Sequence, residues 1–445
     1  MMIIDSTGFN TFWNSESGHA GDDSETEKIV RKIIDDVRID GDAAVRKYAS
    51  KFDKSSPLKL EVPPEEINSA YNTLRANLPE LAEALELSAD HINRFSVKQK
   101  EQFTNFEYEM EKGLYTGQRV IPVERAAVYI PSGRFPLFSS VLMCMIPALC
   151  AGVDEVLLAS PPAEDGIPDR MILAAAGVAA RITGIKEEKL RVFAVGGAQA
   201  IAALALGTES VPRADVIAGP GNRFVAAAKR LLYGQVGIDF IAGPSDVLVI
   251  VDENTAKNDS LETADICAAD MIAQAEHDPD ARARALVPNT EFAKQVAAAV
   301  EKRLAVLPTA ATASASLENG GLIIVYKNRE EAIQLANIIA PEHLELLFED
   351  TGDWIPGLKN YGSLFIGKLS AEALGDYSAG LNHTLPTSGS SRFTGGLSVR
   401  HFLKTATTLR CNPGSGYVKA ARAAEILARA EGLDGHAQSA LARNI

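Results

Sequence analysis

The stretch Val192-Phe193-Ala194-Val195-Gly196-Gly197-Ala198-Gln199, continued by Ala200-Ile201-Ala202-Ala203-Leu204-Ala205-Leu206, holds a strand, a turn and a helix in immediate succession. Val192–Val195 is a short apolar run suited to a buried strand, and the glycine pair ends it. A helix-like segment follows at 198–206. The same rhythm extends outward. Apolar runs at Ala126–Ile130, Glu155–Ala159 and Asp215–Ala218 close in YIPSG, ASPP and IAGPGN, and further helix-like segments lie at 137–150 and 223–232. Strands alternating with helices imply a parallel sheet covered on both faces. In open sheets of this kind ligands collect at the carboxyl ends of the strands, so these Gly, Pro and Ser turns are where a cofactor would lie.

A second block opens at Gly243-Pro244-Ser245 with the run Val247–Val251. Further strands are expected at Ala285–Val287, Leu322–Tyr326, Leu344–Phe348 and Ser363–Ile366, separated by amphipathic helices near 260–276, 290–305 and 330–339. Residues 28–95 read as helical. The tail, Tyr417 to Asn444, reads as one Ala-rich helical stretch interrupted near Gly432-Leu433-Asp434-Gly435.

Composition narrows the function classes. The 445 residues are 46% apolar and 23% charged, a globular balance, and the length suits two or three domains. A net charge of −14 argues against nucleic acid, whose phosphates require clustered Lys and Arg. Cys144, Cys150, Cys267 and Cys411 form no CxxC pair and are expected to be reduced, outside any metal site. No basic stretch followed by an apolar core opens the chain, so a cytoplasmic protein is expected. The longest apolar stretch, Leu137 to Val153, contains Pro147 and reads as a buried helix rather than a membrane span.

None of the strands is followed by GxGxxG. Two glycine turns nevertheless open helices, Gly196-Gly197-Ala198-Gln199 and Gly219-Pro220-Gly221-Asn222. Glycine lets a backbone approach a diphosphate, and a helix start offers free N–H groups. Gln199 and Asn222 stand where an amide could meet a nucleotide. From the turns alone, a plain strand-to-helix connection accounts for them equally well.

The polar chemistry concentrates in four later segments. In Gln274-Ala275-Glu276-His277 two potential ligands stand three apart on one helical face. Ala340-Pro341-Glu342-His343 places a carboxylate and an imidazole at an element boundary, a pairing suited to dividing acid–base work. Gly375 to Thr387, GDYSAGLNHTLPT, reads as a Gly-rich loop carrying Asp376 and His383. Glu431 and His436 interrupt the helical pattern of the tail. Oxygen and nitrogen donors from Gln274, His277, Asp376 and His436 would suit zinc, with substrate completing the shell. Spacing alone leaves each segment open to a structural role. His19, His91 and His401 lack comparable settings and are read as structural.

At these residues the sequence resembles histidinol dehydrogenases. The matching stretches are VYIPSGRFPLFSSV, AVGGAQAIAALALGTESV, GPGNRFVAAAKR, AGPSDVLVIVDE, AQAEHDPDA, APEHLEL, GDYSAGLNHTLPT and AEGLDGH, in family order between 128 and 436. The resemblance implies two incomplete Rossmann-like α/β domains plus small terminal segments exchanged in a homodimer. The corresponding division is an N-terminal dimerisation segment (1–34), an α/β domain carrying most metal and catalytic residues (35–128 with 244–397), an NAD-binding domain (129–243) and an exchanged tail (398–445).

It further implies one zinc per subunit on Gln274, His277, Asp376 and His436, with His436 from the partner. Tyr129, Gln199 and Asn222 would contact NAD. The substrate, a small amino alcohol, would be held by Ser245, Gln274, His277, His343, Asp376, His383, Glu431 and His436, with Glu431 also crossing the dimer. The implied chemistry is oxidation of L-histidinol to L-histidine in two hydride transfers, with His343 as base for the hydroxyl and Glu342 activating water. One departure stands inside this region: Phe393-Thr394-Gly395-Gly396 and the following FLKT resemble relatives acting on other alcohols, such as sulfopropanediol dehydrogenases, which keep the same machinery.

Overall fold

The computed structural model describes residues 1–16, 24–57, 59–132, 136–241 and 243–443. His19 and the Gly133-Arg134-Phe135 part of the first turn lie outside the described residues.

Two six-stranded sheets form the body. The first has the order Glu61–Val62, Leu190–Ala194, Glu155–Ser160, Arg125–Tyr129, Val216–Ala218, Gly237–Ile238. Its strands are parallel apart from the two-residue edge strand Glu61–Val62. The strands are apolar on both faces because helices cover both, leaving Ala127, Val128, Leu157 and Val192 fully buried. From Arg125–Tyr129 the chain first builds outward to one side, then returns and continues on the other. The switch point therefore falls between Tyr129 and Gly219, the two turns expected to meet a cofactor.

The second sheet is wholly parallel, in the order Met2–Asp5, Leu322–Val325, Arg282–Val287, Asp246–Ile250, His343–Leu346, Ser363–Ile366. The expected strands of both blocks are present with shifts of a few residues at their ends. Three further helices, Arg170–Thr183, Glu253–Asn258 and Ala310–Gly320, complete the connections.

The helices Ser24–Phe52, Pro64–Asn77 and Pro79–Lys100 pack on the first sheet's helices. Val30, Ile33, Val37 and Val45 join the core formed by Leu157, Phe193 and Ile201, because that is where matching apolar surface lies. Residues Met2–Asp5 instead add an edge strand to the second sheet.

A third sheet, antiparallel, was not expected: Leu403–Cys411, Leu114–Pro122, Phe106–Glu111. It forms an arm whose outer strands are exposed along nearly their whole length. The tail follows as two helices, Ser415–Ala430 and Asp434–Leu441, which break where the Gly432 region was expected to interrupt them.

Candidate active site

The second sheet offers its amino edge to the site. Asp246 and His343 begin the adjacent strands Asp246–Ile250 and His343–Leu346, and Ser245 and Glu342 immediately precede them. The turn entering His343 is held firmly. Ala340 caps its helix in the left-handed region (φ 51), a costly conformation for a residue with a Cβ. Ser391 donates to the carbonyl oxygens of Ala340 and Pro341 at 3.2 and 3.0 Å. Glu342 and Asp246 then brace each other, since each accepts the other's backbone N–H, at 3.0 and 3.1 Å.

His343 is buried between two carboxylates. Its Nδ1 lies 3.5 Å from Glu372 and its Nε2 3.4 Å from Asp376. Burial opposes charge on the ring, but Glu372, Glu342 and Asp376 together outweigh it and raise the imidazole's pKa well above the usual value. Burial pushes Glu342 up to about 8, and Glu372 likewise to about 8. Asp376 is also buried, yet its contact with His343 carries it below the ordinary carboxylate value.

These side chains face a cavity of about 220 Å³ that both sheets help to line. Ser245, His277, Glu342, His343, Asp376 and His383 line it from the second block, and Pro220, Gly221 and Phe240 from the first. His383 donates or accepts at Ser140 Oγ (2.8 Å) through Nε2, and its Nδ1 meets the Asp376 carbonyl (2.9 Å). Ser140 comes from the helix Phe138–Ala151, so His383 bridges the two blocks.

The donor set fits a cation. Gln274 is fully buried with both amide atoms lacking a hydrogen-bond partner, three residues before His277. An orphaned buried amide of this kind is costly unless something completes it. His343, Glu372 and Asp376 also hold ligand atoms within 4.8 Å of one another. Glu431 and His436 do not join them in the single chain; both are exposed on the tail.

The cofactor residues flank the first sheet's switch point. Tyr129 Oη accepts the Gly197 N–H at 3.0 Å, and burial raises this phenol to about 12. Gln199 is buried, and Asn222 Oδ1 caps its helix by accepting from Phe224 and Val225 at 3.0 and 3.2 Å. Both amides border a groove of about 370 Å³ whose apolar wall is Ile29, Ile33 and Phe52 from the N-terminal helix.

Several of these residues were not read from the sequence. Glu372 stands four before Asp376, and the two share a face of the helix Glu372–Tyr377, where a loop was expected. That spacing was the available signal. Asp246 and Ser140 carried none. His91 and His401 are structural as expected: His91 Nδ1 meets the Ser378 carbonyl at 2.7 Å, and His401 completes a capping box with Ser398.

Two largely parallel sheets meeting at a buried carboxylate–imidazole pair, with a glycine-turn groove beside it, have the arrangement of an α/β enzyme. A family model described as histidinol dehydrogenase matches residues 17–444. Histidinol dehydrogenase from Acinetobacter baylyi is 43% identical over 422 residues, covering 94% of this chain and 93% of its own. The Thermus thermophilus enzyme of that name is 44% identical over 418 residues, 94% of each. A crystal structure of histidinol dehydrogenase from Elizabethkingia anophelis superposes with a TM-score of 0.85 at 36% identity, covering 95% of this chain and 92% of that one. The chain belongs to the histidinol dehydrogenase family and is a dehydrogenase. Nothing in these relatives favours the sulfopropanediol alternative.

Proposed function

We propose that the enzyme oxidises L-histidinol to L-histidine through enclosed histidinal, in the cytoplasm and as a homodimer. The observation that carries this reading is the buried Glu342–His343 pair opening onto a cavity shared by both sheets. Gln274, His277 and Asp376, with His436 of a second copy, would hold zinc, and Tyr129, Gln199 and Asn222 would contact NAD. When bound, zinc would orient the substrate's nitrogens and NAD would accept the hydrides.

His343 takes the hydroxyl proton in the first oxidation. The carboxylates around it stabilise the imidazolium that forms when the ring takes that proton. Glu342 takes a proton from the water that hydrates the aldehyde, and a carboxyl with a pKa near 8 is a better base than an ordinary one. Ser245, Gln274, His277, His343, Asp376 and His383 hold the substrate, and Glu431 and His436 of the second copy close the site. The exposed apolar Phe106, Tyr108, Met110 and Leu427 on the arm and tail support a partner there.

The test is a substrate screen with zinc-supplemented enzyme. L-histidinol should reduce roughly two NAD per molecule oxidised, as two successive hydride transfers require. Turnover of dihydroxypropanesulfonate with none of histidinol would overturn the assignment.

A further inference from the structure

Beneath the Gly219-Pro220-Gly221-Asn222 turn lies a buried ion pair that no step above uses. Lys229 belongs to the helix Arg223–Leu232, and Asp239 follows the edge strand Gly237–Ile238. Their side chains are 4% and 1% exposed and pair directly with each other. Both also reach the same residue. Asp239 Oδ2 accepts the Gly219 N–H at 2.8 Å, and Lys229 Nζ donates to the Gly219 carbonyl at 3.0 Å.

Gly219 is gripped on its third side by Tyr129. Its φ of 116 excludes other residues, and an added Cβ would collide with the Tyr129 carbonyl. The turn so held is a wall common to two spaces. Pro220 and Gly221 line the catalytic cavity, while Asn222 borders the groove beside Gln199.

Stability does not call for such a pair. Burying two charges carries a desolvation penalty, and apolar side chains of similar volume often stabilise a core as well or better. What an apolar pair cannot do is hydrogen-bond both polar groups of one glycine.

We propose that Lys229 and Asp239 are positioning residues that fix the 219–222 turn and thereby set nucleotide affinity and its alignment with the substrate cavity; this rests on the reading of that turn as part of the NAD site. Displacing such a turn by even an ångström is the kind of change that costs rate without touching a reacting group.

The experiment replaces both residues in the full-length, zinc-loaded enzyme, Lys229→Met with Asp239→Leu, which keeps the volume apolar. Zinc content should stay near wild type, while the melting temperature falls modestly because the buried Gly219 N–H and carbonyl lose their partners. NADH affinity, followed by NADH fluorescence, and the KM for NAD should each weaken about tenfold, with the KM for histidinol changed less than about twofold, since the side chains proposed to hold the substrate stand on the second block. If the double variant does not fold, Lys229→Gln should show a smaller weakening in the same direction. A folded variant that binds NADH as wild type does would overturn the proposal. Gln199→Ala and Asn222→Ala separate the two readings. If these weaken NADH and the pair variants do not, only the positioning role falls. If neither set matters, the cofactor assignment fails and the proposal with it.

Discussion

The two central sheets present opposite edges to the candidate site. The first sheet contributes the carboxyl ends of its strands, where Gly196-Gly197 and Gly219-Pro220-Gly221 turn into helices beside the switch point. The second contributes the amino ends, where Ser245, Asp246, Glu342 and His343 stand at strand starts. The rule that ligands gather at carboxyl ends describes the first edge and not the second. The difference lies in what each edge offers. Glycine turns at helix starts supply backbone N–H groups, suited to a diphosphate. The amino edge supplies side chains instead, each braced by its neighbour across the sheet, suited to holding charges apart in a buried space. In the proposed mechanism nucleotide recognition and proton transfer would fall on separate scaffolds, which suits a reaction needing both to be rigid.

The comparison breaks most readily at the amino edge. Replacing His343 by Asn should lower kcat by about 10²–10⁴-fold while NADH affinity at the other edge is unchanged. Steady-state rates beside NADH titration check this, and a fully active variant would remove the base. Next in size is the metal set. His277→Ala and His436→Ala should each lose zinc by metal analysis and lose activity. Mixed and reassociated, the two inactive variants should recover roughly a quarter of wild-type activity, because half the dimers then carry one intact site. No recovery would place His436 in its own subunit's site or outside it.

The pH dependence sharpens the same edge. Glu342 acts ionised, and burial holds its pKa at about 8. Oxidation of supplied histidinal should therefore rise with pH and level off above about 8, with that rise absent from the residual rate of Glu342→Gln. A flat wild-type profile between pH 6 and pH 9 would exclude that carboxyl as the base. The smallest effect belongs to the carboxyl edge. Asn222→Ala should destabilise the fold by about 1 kcal/mol through its lost cap, read by urea denaturation. It should also raise the KM for NAD several-fold with kcat little altered.

Much of the body was legible because it is periodic. Val192–Val195, Val216–Ala218 and Val247–Val251 are uninterrupted apolar runs, as strands covered on both faces must be. The arm was not legible for the opposite reason. Phe106–Glu111 is exposed at every residue and Leu403–Cys411 at nearly every one, so neither shows a buried face. Residues 28–95 were legible as helical, while the sheet they pack on was not. An apolar stripe announces that a helix packs, and does not say on what.

The sequence by itself determined the alternation of strands and helices, the placement of glycines where the backbone must turn sharply, and the motifs that mark the family. These are local properties, set by periodicity and by backbone sterics. Only the tertiary structure decided that Glu372 and Asp376 flank His343, that Asp246 braces Glu342, and that Lys229 and Asp239 meet at Gly219. Each is a contact between side chains whose burial and pKa depend on the whole enclosing fold, because the field of a charge depends on distance and dielectric rather than on order along the chain.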